Sequence, residues 1–264
     1  MSSEPRRLDD RVAVITGANQ GIGRTIAERY AAEGARLFLV DRNDTNFTAI
    51  SQAAARLGTE AAMRKADVTR PADMEAVMAA AEQRFGQIDV LVCAAGIFHS
   101  RRFLELTVED WNQMLAVNLT GTMLACQAAL KRMLPRRRGK LITLSSAAGK
   151  AGGRFRAGYS TSKHAVIGLT RCLAVEFAGE GITANAICPG MIDTDMFASV
   201  VKQDAELLGE RDVPALHAHM LKRSLQARLI APQEIAGLAA YLASAEADSV
   251  TGQALSLDGG MVMQ

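Results

Sequence analysis

Short apolar, β-branched runs alternate with longer amphipathic segments along the whole chain, and this alternation limits the fold more than any other feature. Each amphipathic segment is long enough to form a helix that leads from one strand to the next. Strands connected through helices run parallel, and their continuous apolar character requires cover on both faces of the sheet. We therefore predict an α/β fold: a doubly wound (Rossmann-type), mostly parallel, seven-stranded sheet with helices on both faces. The predicted strands span residues 12–16, 37–40, 61–65, 88–93, 141–144, 183–187 and 254–257.

The composition is that of an ordinary globular domain. The 264 residues include no linker, repeat or low-complexity segment, so we predict a single domain over residues 1–264. Thirty basic and 28 acidic side chains leave a formal charge of +2, which argues against a nucleic-acid partner. The arginine triplet at residues 136–138 precedes an apolar run, and we interpret it as a solvated loop.

Targeting and metal-binding patterns are not apparent in the sequence. The first eleven residues are too polar for a signal peptide, and no apolar run approaches the length of about eighteen residues that a membrane span needs. We predict a cytoplasmic protein without a membrane partner. Cys93, Cys126, Cys172 and Cys188 lie in apolar surroundings without CxxC spacing, which predicts buried reduced thiols and no metal site.

The first strand leads into a glycine-rich loop and then a helix, in the stretch VAVITGANQGIGRTIAERYAAEGA. Gly17, Gly21 and Gly23 allow a tight turn and a close approach of the backbone to a pyrophosphate, which the helix N-terminus also favours. A lone glycine triplet is weak support, but its position between a strand and a helix strengthens it. The loop predicts nucleotide binding, with the spacing GxxxGxG.

The second strand ends at Asp41, eighteen residues after Gly23. A carboxylate at this position accepts hydrogen bonds from an adenosine ribose and repels a 2′-phosphate, so NAD is predicted in preference to NADP. Arg42 complicates this prediction, because a guanidinium can pair with that phosphate. Asp67 and Val68 follow the third strand and are predicted to flank the adenine.

Tyr159 and Lys163 lie four positions apart, just before an apolar run. On a helix they share one face, and an ammonium beside a phenol would lower the pKa of the tyrosine from its usual value of about 10. The pair is then a candidate acid. The alternative is an exposed aromatic residue and a solvated lysine, and this spacing alone does not distinguish the two.

Several motifs in one register together resemble the short-chain dehydrogenase/reductase family. They are the TGxxxGxG loop at 16–23, the Ala95-Gly96 turn, Asn118 in VNLTG, the Ser145-Ser146 pair, Tyr159-x-x-x-Lys163 and Pro189-Gly190. The resemblance covers the chain from about Leu8 to its end. One departure is Cys93-Ala94-Ala95-Gly96, where the family usually has Asn-Asn-Ala-Gly, which puts local sheet rigidity in doubt more than catalysis.

The resemblance implies a catalytic group of four residues. Tyr159 would be the general acid/base, and Lys163 would lower its pKa and hold the nicotinamide ribose. Ser146, thirteen positions before Tyr159, would donate a hydrogen bond to the reacting oxygen; the family's spacing favours it over Ser145. Asn118 would anchor a water next to Lys163; a buried asparagine that satisfies a backbone group is the alternative.

The same resemblance implies the cofactor contacts. These are Gly17, Asn19, Gln20, Gly21, Ile22, Gly23, Asp41, Arg42, Asp67, Val68, Ala94, Ala95, Gly96, Asn118, Tyr159, Lys163, Pro189, Gly190, Ile192 and Thr194. Members of the family are commonly tetramers, so we expect a homotetramer paired through helices near 108–133 and 158–178.

The stretch from about 194 to 231 is longer than a plain connection needs, and the family uses this region as a substrate lid. Predicted substrate contacts are Ser146, Tyr159, Ala148, His99, Arg154 and Met196. A pocket with His99 and Arg154 suggests a small polyol, sugar or hydroxyketone, oxidised or reduced by hydride transfer with NAD(H). The alternatives are reduction of a 3-oxoacyl thioester and a non-catalytic, NAD-binding redox sensor.

Overall fold

The computed structural model describes residues 6–263 and contains one sheet of seven parallel strands in the order β3-β2-β1-β4-β5-β6-β7. This confirms the predicted fold class, with every strand pair parallel. The strands are β1 (Val12–Thr16), β2 (Arg36–Asp41), β3 (Ala61–Lys65), β4 (Val90–Cys93), β5 (Gly139–Leu144), β6 (Ile182–Pro189) and β7 (Ala254–Leu257).

Helices follow the strands in the predicted alternation. They are α1 (Gly21–Ala32), α2 (Phe47–Arg56), α3 (Pro71–Phe85), α4 (Val108–Leu115), α5 (Gly121–Met133), α6 (Ala157–Phe177), α7 (Asp195–Leu208), α8 (Val213–Leu221) and α9 (Pro232–Ala243). Among the described residues, no helix is both long and apolar enough to cross a bilayer.

The sheet separates two apolar clusters, because successive side chains of a strand point to opposite faces. In β1, Ala13 and Ile15 pack into the cluster under α1, α2 and α9, whereas Val12 and Val14 pack into the cluster under α3, α5 and α6. Tyr30 is fully buried in the first cluster and donates its hydroxyl to the carbonyl of Ala239 at 2.8 Å. Both faces of β1 are therefore covered, as its continuous apolar sequence requires.

The long helical region predicted at 108–133 is interrupted by a π-helical turn, Ala116–Thr120, between α4 and α5. Such wide turns often occur at functional sites. The turn contains Asn118, which is 1% exposed. Hydrophobic periodicity does not report a single widened turn, so the sequence predicted one continuous helix.

Two further sequence interpretations need correction. Residues 195–221, taken as part of a connection longer than usual, contain α7 and α8 in full. Cys172 is exposed on α6, whereas the other three cysteines are buried as predicted. The arginine triplet at 136–138 is exposed, as expected of a solvated loop, and Arg136 Nη2 also lies 3.0 Å from Oδ1 of the buried Asp89.

Candidate active site

A cavity of about 670 Å³ lies at the carboxyl ends of the strands, where the sheet order reverses between β1 and β4. Ligands of open parallel sheets bind at this kind of position. The cavity has two ends. We call one the glycine-loop end (Gly17, Gly21, Asp41, Ala95) and the other the α7 end (Phe98, Arg156, Met196, Met220).

Most predicted site residues line this cavity. From the predicted cofactor set these are Gly17, Gln20, Gly21, Ile22, Gly23, Asp41, Arg42, Asp67, Val68, Ala94, Ala95, Gly96, Tyr159, Lys163, Pro189, Gly190, Ile192 and Thr194. From the predicted substrate set these are Ser146, Ala148, Tyr159 and Met196. Four predicted residues, Asn19, His99, Asn118 and Arg154, are not part of its lining within residues 6–263.

The glycine loop packs too closely for side chains at two positions. Gly17 has φ +69°, and a Cβ there would lie 2.6 Å from the backbone nitrogen of Ala95. A Cβ on Gly23 would lie 2.1 Å from the carbonyl oxygen of Gly17. Both distances are well below van der Waals contact, so only glycine fits. The result is a cradle in which the backbone of the loop and the first turn of α1 faces the cavity, as binding of a pyrophosphate requires.

Asp41 stands at the end of β2 with its carboxylate held by the backbone. Its Oδ2 accepts from the amide of Asn19 at 3.1 Å, and its Oδ1 accepts from that of Asn43 at 3.2 Å. Each oxygen keeps a further lone pair for a ligand. The side chain of Asn19 turns away and accepts from the amide of Asn46 at 2.8 Å, which explains its place outside the cavity lining. The cradle and this carboxylate fit the adenosine and pyrophosphate parts of a dinucleotide.

Asp67 lies across the glycine-loop end, after β3. Its desolvation raises the carboxyl pKa, but hydrogen bonds from Thr69 and the charges of Arg42 and Arg70 outweigh it, so the pKa is lowered from its usual value. Asp67 is therefore ionised at neutral pH. The nearby Arg42 is exposed and also lines the cavity.

Ser146, Tyr159 and Lys163 converge in the middle of the cavity. Ser146 follows β5, and its hydroxyl accepts from the amide of Ala148 at 3.1 Å. The same hydroxyl lies close enough to Tyr159 to act on the pKa of the phenol, which it lowers. The hydroxyl of Ser145 instead donates to the carbonyl of Lys163 at 2.8 Å, on the side of α6. Of the two serines, Ser146 is therefore the one that acts on Tyr159, whereas Ser145 bonds to the backbone of α6.

Lys163 is 5% exposed, and its ammonium donates to the carbonyl of Leu144 at 2.7 Å. The Nζ atom lies 5.7 Å from the centre of the Tyr159 ring. Burial lowers the pKa of Lys163 to about 8. Tyr159 and Lys163 therefore share one face and one space, and the alternative of a solvated lysine is excluded.

The expected lowering of the Tyr159 pKa by Lys163 does not hold in the free protein. Burial raises the pKa of Tyr159, and the opposing effects of the Ser146 hydrogen bond and the charge of Arg156 are smaller. The reason is desolvation, since a phenolate at this position would lose its hydration. In the free protein Tyr159 is a neutral phenol over the physiological range.

Asn118 holds the turn after β4 against α6. Its Oδ1 accepts from the amide of Ile97 at 2.8 Å, and its Nδ2 donates to the carbonyl of Ile97 at 3.1 Å and to the hydroxyl of Ser162 at 3.0 Å. A Cβ on Gly96 would lie 3.3 Å from Asn118 Oδ1 and 3.6 Å from Lys163 Nζ. Asn118 thus lies directly behind the cavity wall. Its side chain satisfies the backbone groups of Ile97, which is the alternative that the sequence left open for this residue.

Cys93, which replaces the first asparagine of the family's usual motif, is buried with its sulfur 4.0 Å from that of Cys126 on α5. The thiol therefore packs in the core between β4 and α5. The strand keeps its full parallel pairing with β1 and β5, so the sheet is intact at this departure from the family pattern.

The α7 end is mainly apolar. Its side chains come from the β4 loop, the segment after β6, α7, α8 and the chain terminus: Phe98, Met191, Met196, Phe197, Val200, Met220 and Met261. His99 and Arg154, which the sequence placed in this wall, lie outside the lining; Arg154 is exposed, with its guanidinium 4.7 Å from the Phe155 ring centre. The cationic side chains here are Arg156 and Arg223, which the sequence prediction missed. The only sequence clue to Arg156 was its position three residues before Tyr159.

Comparison with known proteins agrees with this geometry over nearly the whole chain. A family model described as enoyl-(acyl carrier protein) reductase matches residues 17–262. The chain is 36% identical over 257 residues to the 3-oxoacyl-[acyl-carrier-protein] reductase of Escherichia coli, covering 97% of this chain and 99% of that protein.

Two solved structures are similar in the same way. A variant of actinorhodin polyketide ketoreductase with NADPH has a TM-score of 0.91 and 37% identity, with coverage of 95% of this chain and 97% of that one. A levodione reductase has a TM-score of 0.91 and 34% identity, and the match covers 96% of this chain and 98% of that one. With the glycine cradle and the serine, tyrosine and lysine in register, these matches show that the chain belongs to the short-chain dehydrogenase/reductase family of oxidoreductases, which bind a nicotinamide cofactor.

Proposed function

We propose that the protein interconverts a secondary alcohol and the corresponding ketone, with NAD(H) favoured over NADP(H). The observation that carries the proposal is the convergence of Ser146, Tyr159 and Lys163 in the cavity that begins at the glycine cradle. The bound nicotinamide supplies or accepts the hydride. The residues of the chain then have to bind the reactants and move one proton.

Tyr159 is proposed as the group that moves this proton. In reduction its neutral phenol donates the proton to the developing alkoxide, and its raised pKa in the free protein keeps that proton available. Ser146 donates a hydrogen bond to the same oxygen and stabilises the charge that develops there. In oxidation the phenolate is needed, so the positive charges of Lys163 and Arg156 assist that direction.

Lys163 and Asn118 are proposed to support this transfer from behind the cavity wall. Lys163 is the candidate to hold the nicotinamide ribose, since its ammonium lines the cavity beside Gly96. The main-chain oxygen of Asn118, which accepts from the Thr122 hydroxyl at 2.8 Å, is the candidate acceptor for the proposed water.

The preference for NAD rests on Asp41. Its carboxylate lines the glycine-loop end and is fixed by two backbone amides, so it cannot easily move away from a 2′-phosphate. Arg42 is exposed, so its side chain is held less firmly than the carboxylate of Asp41. Arg24, which also lines this end, is paired with Glu28 at 2.8 Å. The fixed negative charge therefore favours the cofactor without the phosphate.

The substrate is proposed to carry apolar carbon next to its reacting group. His99 and Arg154, on which a polyol or sugar depended, do not line the cavity, and Arg156 is paired with an acidic residue. Small hydroxyketones stay candidates, provided that one side of the carbonyl is apolar. We propose that residues 194–231 cover this substrate as a lid.

A 3-oxoacyl thioester is the second candidate, because the apolar wall suits an acyl chain and the relative from Escherichia coli carries that activity in its name. A panel of polyols, hydroxyketones, cyclic ketones and 3-oxoacyl thioesters, each with NAD(H) and with NADP(H), tests both candidates through nicotinamide absorbance. Turnover of polyols alone would contradict the apolar substrate. Tight NAD binding without turnover of any compound would favour a redox sensor and overturn the proposal.

We also propose a homotetramer paired through α4, α5 and α6. Val175 on α6 is 87% exposed and Val108 at the start of α4 is 68% exposed, so burial of these apolar side chains in an interface would favour the association. Sedimentation equilibrium tests the proposal, and a monomer at micromolar concentration would contradict it.

A further inference from the structure

A buried ion pair connects α7 to the segment just before α6, beside the cavity. Arg156 Nη2 lies 2.8 Å from Asp204 Oδ2, and its Nη1 lies 3.2 Å from Asp204 Oδ1. The two side chains are 12% and 10% exposed. The hydroxyl of Ser100 also donates to Asp204 Oδ1, at 2.6 Å. Three segments that lie about 50 residues apart in the chain therefore meet at one carboxylate.

This pair reaches Tyr159 through an aromatic ring. The guanidinium carbon of Arg156 lies 5.2 Å from the centre of the Phe98 ring. The Phe98 ring in turn meets the Tyr159 ring edge to face, with centroids 4.9 Å apart and an interplanar angle of 69°. Both contacts are favourable for aromatic rings. Arg156 also lines the cavity itself, so its charge faces the same space as the phenol.

We propose that Arg156 is a positioning residue for Tyr159, and that Asp204 on α7 sets the position of Arg156, so that the packing of α7 over the cavity is coupled to the placement of the acid. This inference rests on the proposed function and adds to it the fixed placement of Arg156 by Asp204. A planar guanidinium held by both carboxylate oxygens has a defined orientation, which a lysine would not have. Loss of either partner leaves the other charge buried and unpaired.

The electrostatics agree with the geometry. The charge of Arg156 lowers the pKa of Tyr159 against the larger effect of burial. Within residues 6–263, the other polar and charged groups that act on or lie against Tyr159 are Ser146, which follows β5, and Lys163 from α6. The neighbouring Cys188 and Cys93 in turn raise the pKa of Lys163 against the larger effect of burial. Asp204 offsets part of the charge of Arg156. Removing Arg156 and removing Asp204 should therefore move the titration of Tyr159 in opposite directions.

The variants are Arg156→Gln, Arg156→Lys and Asp204→Asn, and the control is Arg228→Gln. Arg228 forms a similar two-point ion pair, with Glu234 at 2.7 and 2.9 Å, but on the exposed surface outside this cavity. Phenolate absorbance follows the titration of Tyr159 without turnover. For each variant, the absorbance of the same variant with Tyr159→Phe added is subtracted, so that the signal of the other tyrosines cancels. Hydrogen exchange in residues 195–208 reports the packing of α7.

We expect Arg156→Gln to move the Tyr159 titration to higher pH and to lower kcat/KM roughly 10- to 100-fold, as a small misplacement of a reacting group does. Arg156→Lys keeps the charge and should restore the titration but only part of kcat/KM. Asp204→Asn should move the titration to lower pH, speed exchange in α7 and raise KM more than it lowers kcat. Arg228→Gln should resemble the parent in all readouts.

Equal losses of activity at every pH in Arg156→Gln, with an unmoved titration and no rescue by lysine, would overturn the inference in favour of a structural role. Shifts of the same sign in Arg156→Gln and Asp204→Asn would also overturn it. A parent protein without turnover would overturn the proposed function instead, and the titration and exchange data would still decide this inference.

Discussion

The two ends of the cavity are built in different ways. At the glycine-loop end the backbone forms the surface: the backbone of Ala95 leaves no room for a side chain at Gly17, and Asp41 is held by main-chain amides. At the α7 end side chains form the surface, and the ion pair of Arg156 and Asp204 connects segments distant in sequence. The first kind of site depends on which residues are glycine or acidic at strand ends, and the second depends on how separate elements pack. Substitutions at the two ends of the cavity should therefore have different consequences for the protein.

The largest expected effect lies where the two ends meet. Tyr159→Phe removes the proton carrier but keeps the ring, and we expect turnover to fall by roughly 100- to 10,000-fold while NAD affinity stays nearly unchanged. Tyr241→Phe on α9 is the matched control and should keep full activity. Steady-state kinetics and calorimetric NAD titration measure both. Comparable turnover in Tyr159→Phe would remove this residue from the mechanism.

Lys163 should give the free protein a pH-dependent stability. Because its folded pKa of about 8 lies below the usual value of 10.5, the unfolded chain binds more protons between these two values. The free energy of unfolding therefore rises with pH between these two pKa values. Below the lower one, Lys163 is charged in both states, and the full free-energy cost of burying its charge destabilises the fold. Relative to Lys163→Met, the parent should gain as much as about 3 kcal/mol in its free energy of unfolding from pH 8 to 10.5. Urea unfolding of both proteins measures this, and a constant difference would contradict it.

The glycine-loop end can be tested with two glycines of similar backbone conformation. Gly17 and Gly58 have φ values of +69° and +73°, but a Cβ on Gly58 meets nothing within 4 Å among the described residues. Both alanine variants pay for the left-handed conformation, about 1–2 kcal/mol. Gly17→Ala adds a clash with Ala95, which we expect to cost roughly 1–3 kcal/mol more and to abolish NAD binding. Equal losses in the two variants would show that the cradle is not tightly packed.

The smallest expected effect concerns the choice of cofactor. Asp41→Ala should raise the kcat/KM ratio of NADP to NAD about tenfold, the equivalent of about 1.4 kcal/mol, because it removes a fixed negative charge from the ribose site. Asp44→Ala changes an exposed acidic residue three positions later, outside the cavity lining, and serves as the control. An unchanged ratio in Asp41→Ala would assign selection to Arg42 or to the loop.

The sequence by itself was sufficient for the sheet and for the glycine-loop end. Seven apolar runs separated by helical patterns predict parallel strands, since strands covered on both faces have a continuous apolar sequence. Gly17, Asp41 and Tyr159-x-x-x-Lys163 were identified because their roles depend on local spacing along a loop, a strand end and one helix turn.

Tertiary structure alone decided the rest. Three features depend on contacts between distant segments. They are the widened turn around Asn118, the exclusion of His99 and Arg154 from the cavity, and the pairing of Arg156 with Asp204. The raised pKa of Tyr159 has the same origin, because burial by surrounding elements outweighs the charges nearby. Local spacing specifies which groups are adjacent along the chain, but desolvation and long-range pairing follow only from how the elements pack.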